Sequence, residues 1–459
     1  MSILQGLRGG IANGVPSGES RDPIGFAVAG LRKLSQSPAL DRLGVRKQTE
    51  QVVFTVTRGG FKTMAATSRA FKKKGKRGAP GVRVPNAIPK GVFDLTPSED
   101  EQMLVDVVTE FAAEVVRPAA AEADEACAAP DELLKSSLEI GLPILGVPEA
   151  LGGISETRSA VAGTLVAEAL AKGDLGLAVA ALAPGSVATA LGLWGTDEQQ
   201  QTYLPAFTDG QGSAPSVPAA AFALNEDKVL FDVLSPSTTA TKTADGYAIN
   251  GAKSLVARGA EAELFVVGAA LEGKPVLFLI ESSTDGLSIE SEPAMGVRAA
   301  SLTKLTLSDV KVPATAVLGE TDGSTYTEAV RLSRLAWCAL SIGVGQAVLD
   351  YVTPYVKERE AFGEPIAHRQ SVAFMVANIA IELQAMRLVT YKAASRVAQG
   401  IDATREIALA RKLCADKGMQ IGLDGVQLLG GHGFVKEHPV ERWYRDLRAI
   451  GIMEGTVLV

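Results

Sequence analysis

The chain has 459 residues, of which 47% are hydrophobic and 21% are charged, and its formal net charge is −7. This composition excludes a disordered or fibrous protein, and the length predicts two or three domains with a sizeable core. Three widely separated cysteines and three histidines show neither a disulfide framework nor metal-ligand spacing, so we expect a reducing compartment and no bound metal.

Residues 1–95 are predicted to form a basic N-terminal extension. Residues 1–90 hold 17 Lys or Arg against 4 Asp or Glu, a net charge of +13, which leaves −20 for the rest of the chain. The segment "FAVAGLRKLSQSPALDRLGVRK" favours an amphipathic helix, and "FKKKGKRGAPGVRVPNAIPKG" is typical of a linker. We expect a solvated arm or a peripheral contact with an anionic membrane. Nucleic acid is not an expected partner, because no aromatic residues interleave with the basic run.

The same extension bears on location. The four acidic residues among residues 1–90, Glu19, Asp22, Asp41 and Glu50, argue against an organelle-targeting segment, a type of leader that is poor in acids. We therefore expect a cytoplasmic protein, peripheral to the membrane if the arm binds lipid, and a mitochondrial matrix protein only if the leader is a targeting segment. No apolar run reaches the roughly 18 residues that a membrane span needs, so a soluble or peripheral protein is expected.

Residues 96–215 are predicted to form an N-terminal helical domain. In "TPSEDEQMLVDVVTEF", Thr96 or Ser98 can cap a helix whose first turn is acidic, and Met103, Val107 and Phe111 follow at helical spacing. Helical runs rich in Ala, Leu and Val continue to about residue 210.

Residues 216–323 are predicted to form a middle β domain, and residues 324–459 a C-terminal helical domain. "DGYAINGAKSLVA" is typical of a hairpin, and "ELFVVGAA", "PVLFLIE" and "KLTLSDVKVP" are typical of strands. Further on, an apolar stripe follows the helical i, i+3, i+4, i+7 rule and Gly400 is a stop signal. The predicted fold is mainly α with a β middle domain and a C-terminal four-helix bundle. The stripe consists of Val372, Met375, Val376, Ile379, Leu383 and Met386.

Eight short segments, taken in chain order, resemble the acyl-CoA dehydrogenase family. Four lie before the C-terminal domain: "GVPEALGG" (146–153), "GTDEQQQTYLP" (195–205), "DGYAINGAK" (245–253) and "DVKVPATAVLGE" (309–320). Four lie within it: "REAFG" (359–363), "QLLGGHGF" (427–434), "HPVERWYRD" (438–446) and "MEGT" (453–456). The resemblance covers about residues 96–459, and so many matches in the family's order make a chance origin improbable.

The resemblance implies FAD as the cofactor and identifies residues that would hold it. Arg359 would offer a planar fork of charged donors to the FAD diphosphate of a neighbouring subunit. Paired glycines after Gln427 would let the backbone approach a phosphate or ribose, whereas His432 is expected to be incidental. The implied cofactor-binding residues are Arg359, Phe362, Gln370, Gln427, Gly430, Gly431 and Thr456.

The resemblance also implies an activity, the oxidation of an acyl-CoA thioester to its trans-2-enoyl thioester in fatty-acid or related lipid catabolism. A base must remove the weakly acidic α-proton, and Glu454 of "MEGT" matches the family's usual base. Burial beside the flavin and an apolar acyl chain would make this carboxylate a stronger base. Ser333 stands where some relatives carry an alternative base. Arg334 and Gly455 would contact the substrate, and an electron-transfer flavoprotein would accept the electrons.

The chain departs from the family pattern on the side that holds the flavin ring. Asn225 replaces a Ser or Thr, Leu230 and Phe231 replace a Gly-Ser pair, and Leu255 and Ala257 replace an aromatic residue and a threonine. Ala257 cannot donate a hydroxyl hydrogen bond to the flavin. Two interpretations remain open: an enzyme that binds FAD by substituted contacts, as a homotetramer, or a half-site or non-catalytic subunit of a heteromer. An oxidase is a further alternative within the enzyme class.

Overall fold

The computed structural model describes residues 97–154, 156, 158–208 and 218–454, all within one compact unit, Gly91–Val459. The predicted basic extension and Thr96 lie outside the described residues. Within them, a first set of helices precedes a β-sheet and a second set follows it, which confirms the predicted fold class. The bounds of the predicted domains remain predictions.

The first helix begins where the sequence predicts its cap. The Ser98 hydroxyl accepts a hydrogen bond from the Glu101 backbone N–H at 3.1 Å, and the Glu101 carboxylate accepts one from the Ser98 N–H at 2.8 Å. This reciprocal capping box satisfies two donors that the helix leaves unpaired. The helices of this part are α1 (Glu99–Phe111, continued by a π-turn at Ala112–Val116), α2 (Arg117–Ala126), α3 (Asp131–Glu139), α4 (Ala160–Gly173), α5 (Leu175–Trp194), α6 (Asp197–Tyr203) and α7 (Pro205–Thr208).

Helix α5 forms the centre of this helical layer because it is apolar on all sides, and residues 175–191 are all buried. Its cap, Asp174, accepts a hydrogen bond from Leu177 N–H at 3.1 Å and pairs with Arg442 Nε at 3.0 Å. Both charges are almost fully buried. The pair therefore fixes the start of α5 against the C-terminal part of the chain.

The middle segment forms one sheet of eight strands within the described residues, and this confirms the three predicted strands. Neighbours follow the order β6-β7-β3-β2-β4-β5-β8, with β1 paired to β4. β1 and β2 run parallel to β4, and the other pairs are antiparallel. The strands are β1 (Ala220–Ala223), β2 (Thr239–Lys242), β3 (Gly246–Val256), β4 (Leu264–Leu271), β5 (Lys274–Glu281), β6 (Leu287–Ser291), β7 (Thr303–Pro313) and β8 (Val317–Leu318).

The hairpin predicted inside "DGYAINGAKSLVA" is wrong, because this segment is the single long strand β3. Its Asn250-Gly251 pair forms a bulge at which the pairing with β7 shifts register. Asn250 Oδ1 accepts a hydrogen bond from the Asp309 N–H at 2.8 Å across the bulge. The Asn-Gly turn signal is thus used to bend a strand rather than to reverse the chain.

The C-terminal helices form the predicted bundle around α8 (Ser324–Glu358), which packs against α4 and the two helices that follow it. On α9 the predicted stripe faces the core, with Ile379, Leu383 and Met386 buried and its N-terminal half partly buried. Gly400 ends this helix in a left-handed conformation (φ +65°), as predicted. The elements after α8 are β9 (Glu360–Ala361), β10 (Glu364–Pro365), α9 (Gln370–Ala398), α10 (Thr404–Leu429) and α11 (Val440–Leu447).

Within the part of the chain that the structure describes, three helices are long and apolar enough to cross a membrane by length and composition, so the expectation that no segment reaches this size is wrong. α5 and α8 owe their apolar character to burial, since 94% and 78% of their most apolar windows lie inside the protein. For α9 the corresponding share is 17%. Its outward face carries Phe374, Ile381 and Leu388, which are exposed and seven residues apart.

Candidate functional site

Glu454 lies buried directly after α11 and the 3-10 turn Arg448–Gly451, with 7% of its surface exposed. Its backbone N–H donates to Asn225 Oδ1 at 2.9 Å, and the Asn225 amide also contacts Met453 Sδ at 3.6 Å. Asn225 follows β1 and is itself buried. The middle segment of the chain therefore holds the backbone N–H of Glu454 and the side chain of the residue before it.

Two guanidinium groups hold the Glu454 side chain. Arg334 of α8 donates from Nε to Glu454 Oε1 at 3.0 Å. Arg411 of α10 donates from Nη2 to the same oxygen at 3.2 Å and to the Met453 carbonyl at 3.0 Å. Among the described residues, the buried Oε2 has no hydrogen-bond partner. The carboxylate is thus flanked by two cations and fixed through one oxygen, while the other is free to accept a proton.

Two further titratable groups of the described residues, Tyr326 and Cys338, interact with Glu454 and are neutral. Tyr326 and Cys338, both on α8, are fully buried. Burial raises the pKa of the Tyr326 hydroxyl and that of the Cys338 thiol well above their usual values, and the charge of Glu454 contributes in the same direction. Neither side chain competes with Glu454 for a proton at neutral pH.

A separate pocket of about 860 Å³ collects most of the other predicted site residues. Its wall combines the Arg359 guanidinium, the Gln427 amide and the backbone of two glycines. A Cβ placed on either glycine would meet no atom within 4 Å, so the backbone there is open to a ligand. The predicted residues on this wall are Arg359, Phe362, Gln427, Gly430 and Gly431.

These donors fit the diphosphate of a dinucleotide. Arg359 and Arg369 supply two cations, and Arg369 lies over the Phe362 ring at 5.5 Å from its centroid. Gly430 adopts a φ of +58°, which suits glycine because it has no Cβ, and its own N–H donates to the Gln427 carbonyl. Phosphate oxygens are well matched by guanidinium forks and open backbone.

Some predicted residues lie apart from this wall. Gln370 is the first residue of α9 and does not line the pocket, and Gly455 and Thr456 lie outside the described residues. Glu454 and Arg334 form the separate cluster described above. Apart from Gln370, the predicted residues that the structure describes therefore lie at two separate locations, the pocket wall and the cluster of Glu454 and Arg334.

His432 has a place on the pocket wall that the sequence did not indicate. Its Nδ1 is 3.0 Å from the Tyr355 hydroxyl, and its ring stacks on His438 with centroids 5.4 Å apart. His438 Nδ1 lies 2.7 Å from the Tyr351 hydroxyl. In the sequence, a single histidine in a glycine-rich turn gives no indication that it contacts residues distant along the chain.

The positions that depart from the family pattern have defined surroundings. Leu230 and Leu255 adopt left-handed backbone with φ of +57° and +54°, a conformation that favours glycine. Leu230 is 97% exposed, whereas Leu255 donates its N–H to Glu292 Oε2 at 2.6 Å. Ala257 is buried and has no hydroxyl to donate. Position 257 therefore lacks the hydroxyl donor of the family pattern, as the sequence indicates.

Three family models match the chain along its length. Residues 98–211 match the N-terminal domain of acyl-CoA dehydrogenase, residues 221–310 its middle domain, and residues 323–458 its C-terminal domain. Among curated proteins, the chain is 30% identical to a 3-(aryl)acrylate reductase of Clostridium sporogenes, covering 78% of this chain and 96% of that protein. It is 31% identical to the short/branched chain specific acyl-CoA dehydrogenase of Bos taurus mitochondria, covering 78% and 83% respectively.

Solved structures are similar over the same region. Butyryl-CoA dehydrogenase of Megasphaera elsdenii gives a TM-score of 0.70 at 28% identity, over 78% of this chain and 95% of that one. A chain in the structure named for the electron transferring flavoprotein of Acidaminococcus fermentans gives 0.71 at 30% identity, with the same coverage. A complex of PigA with FAD and proline gives 0.71 at 25% identity, over 80% and 96%.

Proposed function

Because the chain belongs to the acyl-CoA dehydrogenase family, we propose that it oxidises an acyl-CoA thioester to the trans-2-enoyl thioester, with Glu454 as the base that removes the α-proton. The protein is an FAD-dependent oxidoreductase. Bound FAD supplies the acceptor for the β-hydrogen, which leaves as hydride. The chain's own contribution is to bind the thioester, exclude water and take the proton.

The observation that carries this proposal is the free oxygen of a buried, doubly held carboxylate. Oε1 of Glu454 accepts from Arg334 and Arg411, and Oε2 has no partner within the part of the chain that the structure describes. An acidic side chain with a purely structural role would be expected to use both oxygens, since a buried acceptor without a partner costs about 1–3 kcal/mol. A substrate Cα–H beside Oε2 would give this oxygen its function.

The cofactor would be held at the pocket wall by Arg359, Gln427 and the Gly430-Gly431 backbone. Their exposure to solvent in the single chain supports the expectation that they complete a site shared with a neighbouring subunit. The exposed apolar stripe of Phe374, Ile381 and Leu388 on α9 further supports an oligomer, because a monomer seldom leaves such a stripe uncovered. A dimer of dimers or a heteromer with a related chain is the proposed assembly.

The substrate is proposed to be the thioester of a fatty, branched or related lipid acid, and the acceptor an electron-transfer flavoprotein. Relatives named for short and short/branched chains support an acyl-CoA. The structure named for an electron transferring flavoprotein supports the acceptor. A panel of acyl-CoA thioesters, added without oxygen while the flavin absorbance is recorded, identifies the substrate class, and reoxidation in air separates an oxidase from a dehydrogenase.

A second candidate, a half-site or non-catalytic subunit of a heteromer, is favoured by one observation. Ala257 and the exposed Leu230 replace side chains and backbone that would hold the flavin ring. The visible spectrum of the purified chain separates the two candidates. A flavin band that a thioester bleaches supports the enzyme, whereas a chain that purifies without flavin and gains it only with a second related chain supports the subunit.

Glu454→Gln tests the role of the carboxylate. The change keeps the side-chain volume and removes the basic form, so the rate of flavin reduction should fall by about 10²-fold or more while flavin content is unchanged. Glu437→Gln, which alters an exposed glutamate of the same C-terminal segment, is the matched control and should behave as wild type. Loss of flavin in Glu454→Gln, with no effect on the reduction rate of the remaining holoprotein, would contradict the proposal.

A further inference from the structure

Arg411 binds both the side chain of Glu454 and the backbone of the residue before it. One nitrogen, Nη2, donates both to Glu454 Oε1 and to the Met453 carbonyl, at 3.2 and 3.0 Å. Only 12% of the Arg411 side chain is exposed. A guanidinium that binds the side chain of one residue and the backbone of the preceding one fixes both the position and the direction of the carboxylate.

We propose that Arg411 is a positioning residue that holds Glu454 with Oε2 turned toward the substrate. The inference rests on the proposed function of Glu454 as base. Arg334 reaches the same oxygen but comes from α8, and its side chain is 30% exposed. Arg411 adds the contact that Arg334 lacks, the bond to the Met453 carbonyl, and so prevents the carboxylate from rotating about its own backbone.

The unused atoms of this pair support the assignment. Glu454 Oε2 and Arg411 Nη1 are both buried, and among the described residues neither has a hydrogen-bond partner. Buried polar atoms are nearly always paired in native proteins, so two orphans in directly bonded side chains call for a ligand or ordered water. Glu454 Oε2 is an unused acceptor and Arg411 Nη1 is an unused donor. Such a pair suits a substrate group that loses a proton.

Arg411 supplies much of the positive charge that surrounds the Glu454 carboxylate. Arg334 from α8 and Arg411 from α10 are the cations in contact with Glu454. Tyr326 and Cys338 of α8 are neutral, and Asn225 from the middle segment carries no charge. Removing the Arg411 cation should therefore change how the rate of proton removal depends on pH.

The test compares Arg411→Met and Arg411→Lys in the full-length holoprotein. The readouts are the rate of flavin reduction by saturating acyl-CoA as a function of pH, thioester affinity, flavin content and the temperature of unfolding. Arg411→Met should lower the maximal rate by about 10²-fold, the size of effect expected of a misplaced catalytic group, and shift the pH profile of that rate. Thioester affinity and flavin content should stay unchanged.

Arg411→Lys keeps the charge but places it on a shorter, flexible side chain without the rigid guanidinium plane, so it should retain the pH profile and recover only part of the rate. Lys412→Met is the matched control. It removes the same charge one residue along α10, from an exposed side chain paired with Asp416 on the surface, and should change none of the readouts.

An unshifted pH profile in both Arg411 variants, with a rate loss that follows lost flavin or lower unfolding temperature, would overturn the inference and make Arg411 structural. If Arg411→Met does not fold, Arg411→Lys alone tests the inference. A rate of flavin reduction in Arg411→Lys equal to that of wild type would also overturn the inference. A wild-type chain whose flavin no thioester reduces would instead refute the proposed function, and the inference with it.

Discussion

Replacement of Lys253 by Met should destabilise the chain far more than replacement of other lysines of the sheet. Lys253 of β3 is fully buried, and its Nζ lies 2.5 Å from Glu226 Oε1. Glu226 also accepts from the Ser237 hydroxyl at 2.6 Å and from the N–H and hydroxyl of Thr238 at 3.1 and 3.0 Å. The ammonium is the only cation in contact with this buried carboxylate among the described residues.

The size of the effect follows from what the substitution leaves behind. Breaking a buried ion pair by removing one partner costs about 3–5 kcal/mol, because an uncompensated charge remains. The three neutral hydrogen bonds still solvate Glu226, so we expect the lower end, about 3 kcal/mol. Adding Glu226→Gln removes the leftover charge while keeping an acceptor, and the double variant should recover more than half of that loss.

Urea unfolding at neutral pH, followed by circular dichroism, measures these free energies. Lys304→Met is the matched control, because Lys304 on neighbouring β7 pairs with Asp227 at 2.5 Å on the surface, where such pairs contribute about 0–1 kcal/mol. A Lys253→Met variant no less stable than Lys304→Met would refute the reasoning, and so would a double variant that is additively worse.

Two further changes test the electrostatics of the fold and the pocket. Burial, reinforced by Asp174, raises the pKa of Asp446 to about 8, so between about pH 4 and pH 8 the folded chain keeps a proton that the unfolded chain has released. Wild-type unfolding temperature should therefore fall between pH 5 and pH 8 by more than that of Asp446→Asn, and equal slopes would contradict this. Arg359→Gln should weaken FAD binding, measured by flavin content and dissociation constant, whereas the exposed neighbour Lys357→Gln should not; equal affinities would remove Arg359 from the cofactor site.

Much of the fold was predictable because its signals are local. Ser98 and Glu101 form a capping box within one turn, and Gly400 ends α9 through its own backbone freedom. The three predicted strands come from runs rich in β-branched and other apolar residues, and each of these runs is a strand in the structure. The predicted hairpin was wrong for the same reason, since a local pattern says nothing of the β7 strand across which the Asn250-Gly251 bulge is bonded.

The candidate site was predictable only in part because its contacts are distant in sequence. Glu454 stands out as a carboxylate in a recognisable segment, but Arg411 lies 43 residues away on a helix whose charged face looks solvated. Asn225 looked like a lost hydroxyl donor, whereas its amide holds the Glu454 backbone 229 residues along the chain. No periodicity or spacing in a single sequence reports such pairs.

The most direct test of the account is the exchange of the substrate's α-hydrogens with D₂O, followed by mass spectrometry. A thioester without β-hydrogens, 3,3-dimethylbutanoyl-CoA, isolates proton removal because no hydride can leave it. We predict that wild-type holoprotein speeds the incorporation of deuterium and that Glu454→Gln does not, while Glu437→Gln matches wild type. Equal incorporation by wild type and Glu454→Gln would contradict the claim that Glu454 takes the proton.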